Sequence, residues 1–194
     1  REGEEATLGL VENKDPSKIP GVISRGKNGL INTGIAPIIE NIDKLPLPEK
    51  DKLWGIPQNE KKNVDVSYIC TIRGCPYKCT YCASPFHWDR KTTRLRSPES
   101  VIDEMRNLKK NYWQATKYDY SASANISEKD SLKIEDNSIV YFVDDVFTVN
   151  RKRVKKLLRM MIDQKLGMRW KCEARADHLD DEICELMAEA GCER

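Results

Sequence analysis

Residues 138–174 read SIVYFVDDVFTVNRKRVKKLLRMMIDQKLGMRWKCEA. The segment opens with SIVYFV, 138–143, a continuous apolar run of strand length, the pattern of a strand buried on both faces. Asn150 then caps a helix on which Val154, Leu157, Leu158 and Met161 repeat at i, i+3, i+4 and i+7. MRWKCEA, 168–174, returns to strand character. A strand, a helix and a second strand in this order form a βαβ unit, whose two strands lie parallel.

The same alternation extends in both directions. Downstream, Asp180 caps a helix carrying Ile183, Leu186, Met187 and Ala190, and Gly191 is placed to end it. Upstream, VDVSYICTI, 64–72, reads as one strand rich in β-branched and aromatic residues. A helix follows from Ser97, with Pro98 at its first position, Glu99 after it, and Val101, Met105, Leu108 and Tyr112 on one face. The order βα, βα, βα predicts a parallel sheet with helices outside. We read residues 61–194 as the first three βα units of a larger α/β barrel, with a three-layer α/β sandwich as the alternative. Residues 1–60 read as mostly irregular connecting structure, with a β-hairpin around Asn28–Gly29 and an extended linker at DKLPLPEK. Residues 117–137 are polar and aperiodic, the composition of a long mobile loop.

Composition excludes several classes. The 33 basic and 31 acidic residues leave a net charge of +2, which makes no global case for nucleic acid or an anionic membrane. No apolar run approaches the roughly 20 residues of a membrane span. The first residue is Arg1 rather than Met, as expected of a piece of a longer protein. Seven cysteines, an odd number with one tight cluster, argue against a secreted disulfide framework and for a reducing, cytoplasmic setting with thiolates available for metal.

That cluster is RGCPYKCTYC, residues 73–82, with Cys75, Cys79 and Cys82 spaced x3 and x2. Structural zinc takes four protein ligands. Adding Cys70 as the fourth gives C-x4-C-x3-C-x2-C, a metal-binding or electron-transfer module. Cys70 falls inside the expected strand, however, where a free thiol acts as a small hydrophobe. The spacing fits neither ferredoxin pattern. Three ligands on a [4Fe–4S] cluster leave one iron open for a substrate or cofactor. The loop follows the first strand, at the carboxyl end of the sheet, where barrel enzymes place their active sites. Asp144 and Asp145 end the second strand at the same rim, and Glu173 and Arg175 end the third.

The motif CxxxCx(aromatic)C resembles that of the radical S-adenosylmethionine (SAM) enzymes. TIRGCPYKCTYC, RLRSPESVIDEM, FVDDVFTVNRKRV, WKCEARAD and LMAEAGCER together resemble the branch that carries a cobalamin-binding domain in front. REGEEATLGLVE is similar to the end of that domain, and IDKLPLPEKDKL to its linker. The resemblance implies a partial TIM-like radical SAM barrel in which Cys75, Cys79 and Cys82 bind three irons of a [4Fe–4S] cluster and SAM chelates the fourth. It puts Tyr81 against the adenine, Asp144 and Asp145 near the SAM amino group, and Arg175 near its carboxylate. It also implies reductive cleavage of SAM to a 5′-deoxyadenosyl radical and a reductant such as ferredoxin or flavodoxin. Cobalamin would be used by the whole protein, for methyl transfer or rearrangement of a small-molecule substrate. Alternation along the third strand adds one expectation. Lys171, Glu173 and Arg175 share a face toward the lumen, and Trp170, Cys172 and Ala174 face the helices.

The remaining residues have plainer readings. His87 and His178 read as surface or packing residues. Cys172, Cys184 and Cys192 read as thiols near packed apolar surfaces. RKRVKKLLR, 151–159, reads as a core stripe backed by a solvated basic face, with a basic-face binding module as the alternative.

Overall fold

The computed structural model describes residues 2–48, 68–87, 93–111 and 139–193. The 117–137 loop, Tyr112, residues 64–67 of the first expected strand and residues 49–50 of the DKLPLPEK linker lie outside these residues.

The N-terminal segment starts with α1 (Glu4–Val11), a helix where the sequence suggested connecting structure. Its apolar residues form no stripe. Leu8, Leu10 and Val11 are exposed and only Gly9 is buried, so periodicity gave no signal. What holds the segment down is ionic. The Glu2 side chain is 2% exposed and accepts from Arg73 at 2.8 Å, Arg94 at 2.5 Å and the Ile39 amide at 2.5 Å. Glu4 adds a second contact to Arg73 at 2.5 Å. The hairpin follows as expected: β1 (Ile23–Gly26) and β2 (Gly29–Asn32) pair antiparallel, with Gly26 opposite Gly29. Gly29 turns at φ +126°, a conformation that glycine adopts without a side-chain penalty.

The rest of the described chain is built on a three-stranded parallel sheet of β3 (Tyr68–Ile69), β6 (Val140–Phe142) and β7 (Trp170–Cys172), in the order β3-β6-β7. Tyr68 pairs with Tyr141 and Val140 with Trp170. Three helices cover one side: α3 (Pro98–Asn111), α4 (Arg151–Asp163) and α5 (Asp181–Glu189). A single turn, α2 (Ser84–His87), follows the cysteine loop. Each long helix starts at the side chain that the sequence marks for it. Ser97 Oγ accepts from the Ser100 amide at 3.1 Å, Asn150 Oδ1 from Arg153 at 3.0 Å, and Asp180 Oδ1 from Ile183 at 3.0 Å. Gly191 ends α5 at φ +94°, where a Cβ would lie 2.6 Å from the Met168 carbonyl.

The stripes meet in one core. Val101, Met105, Leu157, Leu158, Trp170 and Ile183 are at most 1% exposed. Phe142, Phe147 and Trp170 gather with ring centroids 4.9–5.4 Å apart, each ring contributing about 2–3 kcal/mol by burial. The Trp170 indole N–H donates to Ala190 O at 2.8 Å, so its one polar group is satisfied.

Three details differ from the sequence reading. The expected strand 64–72 breaks at Cys70–Thr71, and Ile72–Arg73 leaves the sheet as β4 to pair antiparallel with β5 (Arg94–Leu95). The second strand is buried on its helix face only: Val140 and Phe142 are fully covered, whereas Tyr141 is half-buried and Val143 is 40% exposed. Tyr141 looks away from the helices beside Tyr68 and Lys171, with the Tyr68 ring 5.9 Å away and the Lys171 ammonium 4.6 Å over its own ring. Arg153 departs from the solvated basic face of α4. It is 8% exposed and donates inward to the Arg96 and Thr71 carbonyls at 2.6 and 3.3 Å.

Candidate metal and cofactor site

The break after β3 positions everything that follows. Asp144, two residues past β6, takes three hydrogen bonds from it: Thr71 N and Ile72 N donate to Oδ1 at 2.6 and 2.8 Å, and Thr71 Oγ1 donates to Oδ2 at 2.5 Å. The turn is thereby locked to the neighbouring strand. Gly74, at φ +94°, then swings the chain from β4 into the cysteine loop, above the carboxyl end of the sheet.

Cys75 is buried, and Cys79 and Cys82 are half-buried. Burial pushes the Cys75 thiol up, and the charges of Asp145, Cys82 and Cys79 push it the same way, against a hydrogen bond with the Tyr77 backbone. These four groups therefore share one neighbourhood. Cys70 belongs to another. Its thiol, pushed up by burial, donates to Ile72 O at 3.3 Å, and the residue borders the groove lined by Glu2, Thr7, Leu8 and Arg73. Among the described residues, no three His, Cys, Asp or Glu side chains close tightly enough to hold a single metal ion. Three thiols in one eight-residue loop are the donor type that an iron–sulfur core takes.

The side chains around the loop come from all three βα units. The alternation of β6 continues past its end, so Asp144 is 2% exposed on the helix side while Asp145 is exposed on the open side. Ser84 Oγ, just after Cys82, donates to Asp145 Oδ2 at 2.5 Å, and the Ser84 amide donates to Cys82 Sγ at 3.4 Å. Arg175 points its Nη1 at Cys79 Sγ, 3.9 Å away, lays its guanidinium 4.1 Å over the Tyr77 ring, and is braced by Asp177 at 2.9 and 2.8 Å. Tyr81 is 92% exposed. Glu173 lies on the open face, accepting from the Tyr141 hydroxyl at 2.8 Å, while Trp170 and Cys172 pack toward the helices. Burial, the hydrogen bond to Glu173 and that carboxylate's charge push the Tyr141 phenol up to about 12.

Sequence reasoning missed three members of this group. Ser84 carries no motif of its own. Tyr77 lies between two cysteines, where no local pattern marks it. His178, read as a surface or packing residue, hydrogen-bonds Tyr77 OH through Nε2 at 2.5 Å and Thr148 Oγ1 through Nδ1 at 3.0 Å. Only the tertiary fold brings these residues together. Cys172 and Cys192 do pack against the core edge, whereas Cys184 is exposed, on the outer side of α5.

The parallel βα sheet thus carries a three-thiol loop at its carboxyl end. Residues 69–194 match the radical SAM superfamily, and the chain belongs to that superfamily of enzymes. It is 28% identical over 171 residues to an uncharacterized methyltransferase of Pyrococcus horikoshii, covering 88% of this chain and 32% of that protein. It is 25% identical over 205 residues to the anaerobic magnesium-protoporphyrin IX monomethyl ester cyclase of Rubrivivax gelatinosus, covering 98% and 32%. The chain thus spans about a third of the length of these relatives. Its fold matches the radical SAM methyltransferase TsrM from Kitasatospora setae, solved with cobalamin and a [4Fe–4S] cluster bound, with a TM-score of 0.61 and 20% identity over 97% of this chain and 34% of that one. Among the described residues, no helix is long and apolar enough to cross a membrane.

Proposed function

We propose that residues 61–194 form the cluster- and SAM-binding part of a radical SAM enzyme, and that the whole protein uses cobalamin in methyl transfer or rearrangement of a small-molecule substrate. The observation that carries this reading is the three-thiol loop at the carboxyl end of the sheet, with Ser84 joining Cys82 to Asp145, Arg175 against Cys79 and Cys70 set apart. Cys75, Cys79 and Cys82 would hold a [4Fe–4S] cluster. When bound, the cluster and SAM supply a 5′-deoxyadenosyl radical by one-electron reductive cleavage, with the electron coming from a carrier such as ferredoxin or flavodoxin.

The chain's own residues bind and orient. Asp145 is the acid assigned to the SAM ammonium, because it faces the open side and Ser84 fixes its orientation; a charge-assisted hydrogen bond suits that contact. Asp144 has both oxygens engaged by Thr71 and Ile72 and is assigned to holding the loop. Arg175 is assigned to the anionic side of the site, toward Cys79 and the SAM carboxylate. Tyr81 offers its exposed ring to the adenine, and Glu173 lines the open face. The cobalamin domain is assigned to residues outside this chain, with 1–60 as its tail, hairpin and linker. Seven free cysteines and the need for an electron carrier support a reducing cytoplasmic setting.

Anaerobic reconstitution with iron and sulfide tests the reading. About one [4Fe–4S] cluster per chain is expected, with a spectral change on adding SAM. Cys75→Ala, Cys79→Ala or Cys82→Ala should each abolish it, and Cys70→Ala should not. Stoichiometric tight zinc without iron–sulfur absorption overturns the proposal.

A further inference from the structure

Resting on that reading, we infer that His178 is a positioning residue for the cysteine loop: through Tyr77 and Thr148 it fixes the place of Cys79 and so governs how firmly the cluster is retained. Tyr77 sits between Cys75 and Cys79, in the stretch of loop that no strand or helix supports. Its hydroxyl meets His178 Nε2 at 2.5 Å, with the two rings 5.3 Å apart. The other imidazole nitrogen meets Thr148 Oγ1 at 3.0 Å, and Thr148 is 4% exposed in the turn between β6 and α4. One imidazole therefore joins the first, second and third βα units at the rim.

The bridge suits a fixed position. A neutral imidazole donates from one nitrogen and accepts at the other, and both partners are hydroxyls that do either, so each tautomer is satisfied. Arg175 closes the arrangement from the other side. Its guanidinium covers the Tyr77 ring at 4.1 Å while Nη1 reaches to 3.9 Å from Cys79 Sγ. Tyr77 is thus held at its hydroxyl by His178 and across its face by Arg175, two residues before Cys79. With the ring fixed, the sulfur of Cys79 stays against a cationic donor. A loop free to move would lose that contact, and Cys79 would be the first ligand to let go. Groups that hold a ligand in place, without touching the metal, typically change metal retention by 10–100-fold when removed.

The experiment uses the intact protein, reconstituted anaerobically, and reads iron release to a chromophoric ferrous chelator together with the electron paramagnetic resonance spectrum of the reduced cluster. His178→Ala and Tyr77→Phe should each release iron on the order of tenfold faster than wild type. The double variant should be no faster than either single one, because both remove the same link. His178→Gln, which keeps a donor and an acceptor, should recover part of the retention. The thermal midpoint of the cluster-free Tyr77→Phe protein should stay at the wild-type value, separating loop positioning from folding. Equal release by wild type and Tyr77→Phe overturns the inference and leaves the proposed function standing. A wild-type protein that takes up no cluster overturns both.

Discussion

Asp144 and Thr71 stand 73 residues apart in the chain and are joined by two hydrogen bonds, one to the Thr71 amide at 2.6 Å and one to its hydroxyl at 2.5 Å. A third, from Ile72 N, completes the set. Asp144→Ala leaves two buried amides and a hydroxyl without a partner. Each such group costs about 1–3 kcal/mol, and local rearrangement recovers some of it. A loss of roughly 3 kcal/mol is expected, read as a lower urea midpoint at unchanged slope. Asp145→Ala, on the open side, should change the stability by less than about 0.5 kcal/mol while weakening SAM binding.

Glu2 anchors α1 by charge. Burial pushes its carboxyl up, but hydrogen bonds from Ile39, Arg73 and Arg94 outweigh that and hold it below the ordinary carboxylate range. A lowered folded-state value gives stability that is full above the unfolded value, near 4.5, and is lost as pH falls through the lowered one. The protection of the α1 amides against deuterium exchange, taken relative to the intrinsic rate at each pH, should fall as the solution is taken below pH 4.5. Glu2→Ala should bring the same loss of protection at pH 7, at a cost of about 3 kcal/mol for removing the buried carboxylate that both Arg73 and Arg94 contact.

Tyr141 should ionise late. With its phenol raised to about 12, absorbance at 295 nm should show a tyrosinate step near that pH. The folded state holds that proton more tightly, so the associated stability is full below pH 10 and fades as pH rises toward 12. Glu173→Gln removes the carboxylate charge and should bring the late step down toward 10, although burial alone keeps it somewhat high. An unchanged titration in that variant contradicts the Tyr141–Glu173 contact.

The thiols outside the loop should differ in reactivity. A hydrogen bond with Cys192, then burial, push the Cys172 thiol well above its usual range, whereas Cys184 is exposed. Iodoacetamide at pH 7.5 should label Cys184 long before Cys172, as read by peptide mass spectrometry, because the thiolate is the reacting form.

The helix faces were legible in the sequence because burial repeats every 3.6 residues. Val101, Met105 and Leu108, then Val154, Leu157, Leu158 and Met161, are all at most 3% exposed. The three caps were legible too, since Ser97, Asn150 and Asp180 each bond within three residues. The barrel-type order and the hairpin followed from local pattern alone. What the sequence hid depends on distance along the chain. The β5 strand is two residues long and exists only because β4 leaves the sheet to meet it. Helix α1 is held by Arg73 and Arg94, far away in sequence. At the site, two adjacent aspartates looked equivalent. The fold divides them because successive side chains of an extended chain point to opposite faces. His178 had no neighbour in sequence to signal a role, and its partners lie 101 and 30 residues away.

The contact between Tyr77 and His178 also sets a clock. A ribosome adding roughly 5–20 residues per second needs about 5–20 s to make the 101 residues that separate them. Throughout that interval the three cysteines exist without their clasp. Iron and sulfide delivered early would meet a slack loop, and delivered later a shaped one. A loop that has to be clasped before it is loaded would wait for that one histidine to be made.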